Sequence, residues 1–213
     1  MLLKTDQEQL IFGSLPERPL HLSVRPISVN DNFLDGGAVF KQLEMQMEFH
    51  GQKATVPFTL VIPKSNNPCP AVIVIGEDKE SVSAMDKWLS KGYAVLYLYY
   101  EDISKNNSNF KSGISAFISP SRRKKSSAGK IAVWAWSAIR TLECAEVLFD
   151  IDKDNIGVSG EGIFGLSALY AKKNCPKFSF VVYDSIPDIN EEFMTLNSHL
   201  FSPKAPEHYH FDN

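Results

Sequence analysis

The stretch Val158-Ser159-Gly160-Glu161-Gly162-Ile163-Phe164-Gly165 decides the fold. Ahead of it, Asn155-Ile156-Gly157-Val158-Ser159 reads as a buried strand, and behind it Leu166 to Lys173 reads as a helix. A strand joined to a helix through so few residues needs a sharp turn. Gly160 and Gly165 are the small residues that let the backbone make it and let the helix close on the strand. The tip of the turn is Gly162, which has no side chain to present.

Working outward, Ala71-Val72-Ile73-Val74-Ile75 is continuously apolar, the pattern of a strand covered on both faces. Tyr93 to Tyr100 and Phe178 to Tyr183 read as further buried strands. Between them, Ser81 to Lys91 carries Met85, Trp88 and Leu89 on one helical face and is ended by Gly92. Ser126 to Phe149 is predicted as a long helix bearing Ile131, Trp134, Ile139, Leu142 and Leu148. Earlier in the chain the period changes to two. Leu43, Met45, Met47 and Phe49 alternate with polar residues, His50-Gly51-Gln52 turns, and Val56, Phe58, Leu60 and Ile62 alternate again, which predicts an antiparallel hairpin.

Residues 1 to about 40 are punctuated by Pro16, Pro19, Pro26 and Gly36-Gly37. They are expected to hold a short helix and then an irregular segment lying across the domain. The predicted architecture is a single α/β domain over residues 1–213, a three-layer sandwich with a mostly parallel twisted sheet led by the hairpin. Residues 186–213 are expected to pack on the sheet edge as a C-terminal tail.

Composition narrows the function classes. A net charge of −3 and a pI near 6.0 give no electrostatic footprint for nucleic acid. Arg122-Arg123-Lys124-Lys125 sits among Ser and Pro and reads as a solvated loop, with an anion contact as the alternative. No apolar run approaches the roughly 20 residues of a membrane span, and the N-terminus turns polar too soon for a signal peptide. Cys69, Cys144 and Cys175 lack metal-ligand spacing and suit reduced thiols, so a cytoplasmic location is expected. Cys144 falls in a helical apolar pattern as a core residue.

Ligands of such sheets bind beyond the carboxyl ends of the strands. Those ends carry Gly76-Glu77-Asp78, Glu101-Asp102, Gly160-Glu161-Gly162 and Asp184-Ser185. Glu77, Glu101, Glu161 and Asp184 are therefore the candidate ligand-binding residues, with solvated loop carboxylates as the plain alternative.

Three blocks then carry a resemblance. They are Tyr99-Tyr100-Glu101-Asp102-Ile103, Ser127-Ala128-Gly129-Lys130-Ile131-Ala132-Val133-Trp134-Ala135-Trp136, and Ile151-Asp152-Lys153-Asp154-Asn155-Ile156-Gly157-Val158-Ser159-Gly160. In content and spacing, from about Leu34 to Ser185, the chain resembles the α/β-hydrolase family of glucuronoyl esterases and acetyl-xylan-esterase-like proteins. The resemblance implies a carbohydrate-ester hydrolase ancestor with a serine, acid and histidine triad and no cofactor or metal. On the family turn G-x-S-R-x-G, Gly160 and Gly165 fall on the glycines, Gly162 on the nucleophile and Ile163 on the arginine that helps stabilise the oxyanion. Asp184 falls where some members place their acid. The family histidine lies on a later loop. The chain ends about 50 residues past Gly162, so a shortened α/β-hydrolase fold without that loop is expected. His199, His208 and His210 are too close to the last strand to take its place.

A glycine cannot attack a carbonyl, so no acyl-enzyme forms at Gly162, and Ile163 removes a charge that would favour the oxyanion. The leading expectation is a catalytically inactive protein retained for binding a carbohydrate-like ligand or for assembly. The alternatives are a hydrolase using Ser159 or Ser167, water activated by Glu161 and Asp184, and a purely structural subunit. His21 and His50 read as surface residues. Metal binding by His208 and His210 is the weaker reading of a chain-end His-x-His. A homodimer is expected through the last strand and the tail, whose Phe193, Met194, Leu196, Leu200 and Phe201 are too apolar for solvent.

Overall fold

The computed structural model describes residues 11–64, 68–79, 82–118, 127–148 and 150–202. Seven strands form one sheet in the order β1-β2-β3-β5-β4-β6-β7. They are β1 (His21–Phe33), β2 (Ala38–Phe49), β3 (Gln52–Pro63), β4 (Cys69–Gly76), β5 (Ala94–Tyr99), β6 (Ile151–Glu161) and β7 (Val181–Asp184). The predicted hairpin is β2 and β3, in register from Ala38↔Pro63 to Phe49↔Gln52. His50 and Gly51 both have positive φ (46° and 79°), as the tight two-residue turn between twisted strands requires. Leu43, Met45, Met47 and Phe49 are buried along one face, as their alternation demands.

The first 40 residues are corrected. Instead of an irregular segment, residues 21–33 form β1, antiparallel to β2. Pro26 hid it, because proline is excluded from a central strand but tolerated on an edge. Here β1 is the edge, and its register shifts between Pro26 and Ser28, leaving Ile27 in a bulge. The sheet is consequently mixed: β1-β2, β2-β3 and β3-β5 are antiparallel, and β5-β4, β4-β6 and β6-β7 parallel. The expected short early helix lies mostly outside the described residues, of which Ile11 and Phe12 are helical and buried. Residues 122–125, 208 and 210 also lie outside them.

Three layers are present. On one face, Val72, Val74, Val95 and Tyr97 meet Met85 and Trp88 of α1 (Val82–Leu89). On the other, Ile73, Ile75, Leu96 and Leu98 meet α4 (Lys130–Ala145) and α5 (Ile163–Asn174). Between β5 and α4 lie two short helices, α2 (Tyr100–Ile103) and α3 (Ser115–Ile118). Every residue of α4 except Glu143 is buried, as expected of a helix that is apolar nearly all round. Its Cys144 is in the core as predicted, and burial pushes that thiol up to about 12. Lys130, the one lysine in this interior, is held at 2.5 Å by Ser104 Oγ and at 2.7 Å by the Asn109 carbonyl.

The tail contains α6 (Glu191–Leu196), capped by the Asn190 side chain accepting from the Phe193 N–H at 2.9 Å, and a 3-10 turn at Ser198–Leu200. Its described part packs on its own chain. Phe201 stacks on Phe12 at 6.1 Å, and the Ser202 N–H donates to the Ile11 carbonyl at 2.6 Å. At the β7 edge Val182 and Tyr183 remain exposed.

Candidate functional site

Gly162 sits between β6 and α5, at the tip of the strand-turn-helix its neighbours predict. Its backbone is held at φ 57°, ψ −127°, a conformation that side-chain-bearing residues adopt only under strain. The close approach is made at Gly160, where a Cβ would lie 2.4 Å from the Phe164 backbone. A Cβ on Gly162, by contrast, would meet nothing within 4 Å. The turn is thus fully formed and points an absent side chain into open space. Its position is fixed by the Gly162 N–H donating to the Asp184 carbonyl at 2.9 Å. Ile163, expected from the resemblance to stand where the family has an arginine, opens α5 and packs half-buried against the core.

The space above Gly162 is a cleft of about 360 Å³ between the carboxyl ends of β4 and β6 and helix α1. Its polar lining comes from Glu77, Asp78, Lys87, Tyr97, Ser159 and Glu161. Lys87 bridges the cleft to Glu161 at 3.0 Å. Tyr97 is its fixed wall. Burial above all pushes this phenol up to about 12, against a lowering hydrogen bond from the Asp78 backbone, and the carboxylates of Asp78 and Glu77 add to the rise.

The candidate residues divide. Glu77 and Glu161 line the cleft. Glu101 lies on α2 outside that lining, accepting a hydrogen bond from the Tyr100 hydroxyl at 3.1 Å. Asp184 pairs in register with Glu161 across β6 and β7, but is exposed and takes a hydrogen bond from Ser185 Oγ at 3.3 Å. Lys87 and Tyr97 were missed. One reads as an ordinary solvent-facing helix lysine and the other as part of an apolar strand, and only the packing of α1 on β5 brings them to the site.

The alternative nucleophiles are poorly placed. Ser167 is fully buried in α5, its hydroxyl directed at the Ile163 carbonyl at 3.4 Å. Ser159 lines the cleft floor but is 3% exposed. Of the described histidines, His21 is on β1, His50 is at the hairpin turn, and His199 is bonded to Asn106 at 2.7 Å; none lines the cleft. Among the described residues, no group of three His, Cys, Asp or Glu is arranged to hold a metal ion, and no helix is long and apolar enough to cross a membrane.

A strand-turn-helix of this geometry on this sheet has known counterparts. A family model described as fungal glucuronyl esterase matches residues 45–175, more than half of the chain, from within β2 to just past α5. The chain belongs to the glucuronyl esterase family. Its fold is that of solved members. A glucuronoyl esterase from Solibacter usitatus superposes with a TM-score of 0.81 at 21% identity, over 94% of this chain and 64% of that one. A CE15 glucuronoyl esterase from Teredinibacter turnerae gives 0.78 at 20% identity, over 93% and 56%. A mutant glucuronoyl esterase from Sporotrichum thermophile, solved with methyl 4-O-methyl-β-D-glucopyranuronate, gives 0.54 at 17% identity, over 81% and 42%. The chain spans less than two thirds of the length of each. No curated protein sequence matches it.

Proposed function

We propose that this member of the glucuronyl esterase family does not hydrolyse esters and keeps the cleft above Gly162 as a binding site for a neutral carbohydrate. One observation carries the reading: the turn and the open space above it are intact, while a side chain to present there is absent. Water activated by Glu161 and Asp184 is disfavoured, since Glu161 is engaged by Lys87 and both carboxylates lie in solvent.

The charge of the lining sets the ligand class. Among the described residues that line the cleft, three are carboxylates, Glu77, Asp78 and Glu161, and one is an ammonium, Lys87. A uronate anion is repelled by this wall, whereas its methyl ester or an unmodified pyranose is not. Repulsion across a half-open cleft amounts to about 1 kcal/mol, roughly fivefold in Kd. Calorimetric titration is therefore expected to give tighter binding of methyl glucuronate methyl ester than of the free acid, with the gap closing as salt is raised. Tighter binding of the free acid would refute the assignment. Intact-mass measurement after a serine-directed phosphonate is expected to show no adduct.

Assembly through a second copy is the companion proposal. The apolar tail residues Leu200, Phe201 and Met194 are buried within the chain, which leaves the β7 edge, with Val182 and Tyr183, as the pairing surface. Light scattering is expected to report a dimer that Tyr183→Lys converts to monomer. A wild-type monomer at high concentration overturns this.

A further inference from the structure

Beside the elbow cleft lies a second one, of about 240 Å³, on the other side of Tyr97. Its walls come from parts of the chain with no role in the turn. Phe33 ends β1, Phe40 is on β2, Phe58 is on β3 and Tyr99 ends β5. The Phe33 and Phe40 rings meet at 5.2 Å, tilted by 45°. Two polar pairs complete the lining. Thr59 Oγ1 donates to Gln42 Oε1 at 3.3 Å, and Lys79 Nζ bridges to Asp102 at 3.2 Å while lying 5.4 Å from the centre of the Tyr99 ring.

We infer that this aromatic cleft is a second subsite, taking one pyranose ring of an oligosaccharide whose neighbouring unit occupies the elbow cleft. The inference rests on the carbohydrate reading above and extends it. A pyranose has an apolar C–H face and a rim of hydroxyls. The cleft offers ring faces for the first, and a carboxylate, an ammonium, an amide and a hydroxyl for the second. The Lys79 side chain is 63% exposed, so its pair with Asp102 stands at the solvent rim, where sugar hydroxyls replace water at little cost. Size agrees. Ligand pockets run to about 300–1,000 Å³, so at 240 Å³ the aromatic cleft falls short alone. It falls inside the range once joined to the 360 Å³ of its neighbour. Tyr97, which lines both and is pinned by the Asp78 backbone, is the ridge over which a glycosidic bond passes.

The test is calorimetric titration of the full chain with methyl β-D-glucopyranoside, phenyl β-D-glucopyranoside, xylotriose and cellotriose. At least one trisaccharide is expected to bind at least tenfold more tightly than the methyl glycoside. Tyr99→Ala is expected to remove that difference while leaving the methyl glycoside Kd unchanged. Lys79→Ala, at a position 63% exposed, is expected to remove about a third to a half of the gain on a logarithmic scale. Trisaccharides that bind no better than the monosaccharide overturn the subsite and leave the elbow site standing. If no glycoside binds, and the methyl ester of the preceding section does not bind either, both readings fall. If the phenyl glycoside matches the trisaccharides and loses the advantage with Tyr99→Ala, the cleft takes an aryl group and the pyranose assignment is wrong.

Discussion

Methyl esters of glucuronic acid are expected to be hydrolysed by this chain no faster than by buffer, and Gly162→Ser is expected to leave that result unchanged. In serine hydrolases, loss of the nucleophile alone costs on the order of 10⁶ in kcat. There is room for a serine, since a Cβ there meets nothing within 4 Å, although it would hold φ 57° only under strain. What the substitution does not supply is activation. A hydroxyl needs a base within hydrogen-bond reach, and no described histidine lines the cleft. Ile163 offers no cation to a developing oxyanion, leaving backbone N–H groups as the only donors of the turn. A fluorogenic or chromatographic assay of wild type and variant against heat-treated protein checks this. Turnover a thousandfold above the control in Gly162→Ser would show that a base reaches the cleft from outside the described residues. Turnover of that size in wild type would overturn the proposed inactivity itself.

The same turn shows how far a sequence can be read. A strand, two flanking glycines and a helix fix the backbone geometry, because few conformations join them, so the position of Gly162 followed from residues 155–173 alone. The β2–β3 hairpin and α1 were legible for a similar reason: their periods of 2 and 3.6 are local signals. What failed was set by position in the sheet. Pro26 is permitted only because β1 is an edge, and nothing local says which strand will be the edge. Tyr97 reads as one more apolar residue of a buried strand. Its role as the wall between two clefts depends on its phenol reaching Gly76 and Asp78 on the neighbouring strand end, a tertiary fact. The carboxylates illustrate both cases. Glu77 and Glu161 end adjacent strands and converge, whereas Glu101 ends a strand equally well but is turned into α2, away from the cleft.

Trp134→Ala is expected to cause the largest loss of stability of any single truncation near the site. Trp134 is fully buried in α4, in T-shaped contact with Phe164 at 4.9 Å and Tyr100 at 6.1 Å, and its indole N–H donates to the Ser104 carbonyl at 3.0 Å. Truncating a buried tryptophan costs about 3–5 kcal/mol through lost transfer energy and the cavity left behind. The abandoned Ser104 carbonyl adds about 1–3 kcal/mol if water does not reach it. Against a typical domain stability of about 5–15 kcal/mol, the variant should be near its folding threshold. Trp134→Phe separates the two contributions. It keeps a ring against Phe164 and loses the donor, so about half the loss is expected. Phe164 lies in the first turn of the elbow helix and lines the cleft, so the loss also reaches the site. At temperatures where Trp134→Phe is still folded, it should bind the methyl ester more weakly, because the residue bracing α5 against the sheet has changed shape. Urea denaturation read by circular dichroism gives the stabilities. A loss below about 2 kcal/mol for Trp134→Ala would mean that the interior relaxes around the gap, in contrast to the close packing that T-shaped rings on both sides imply.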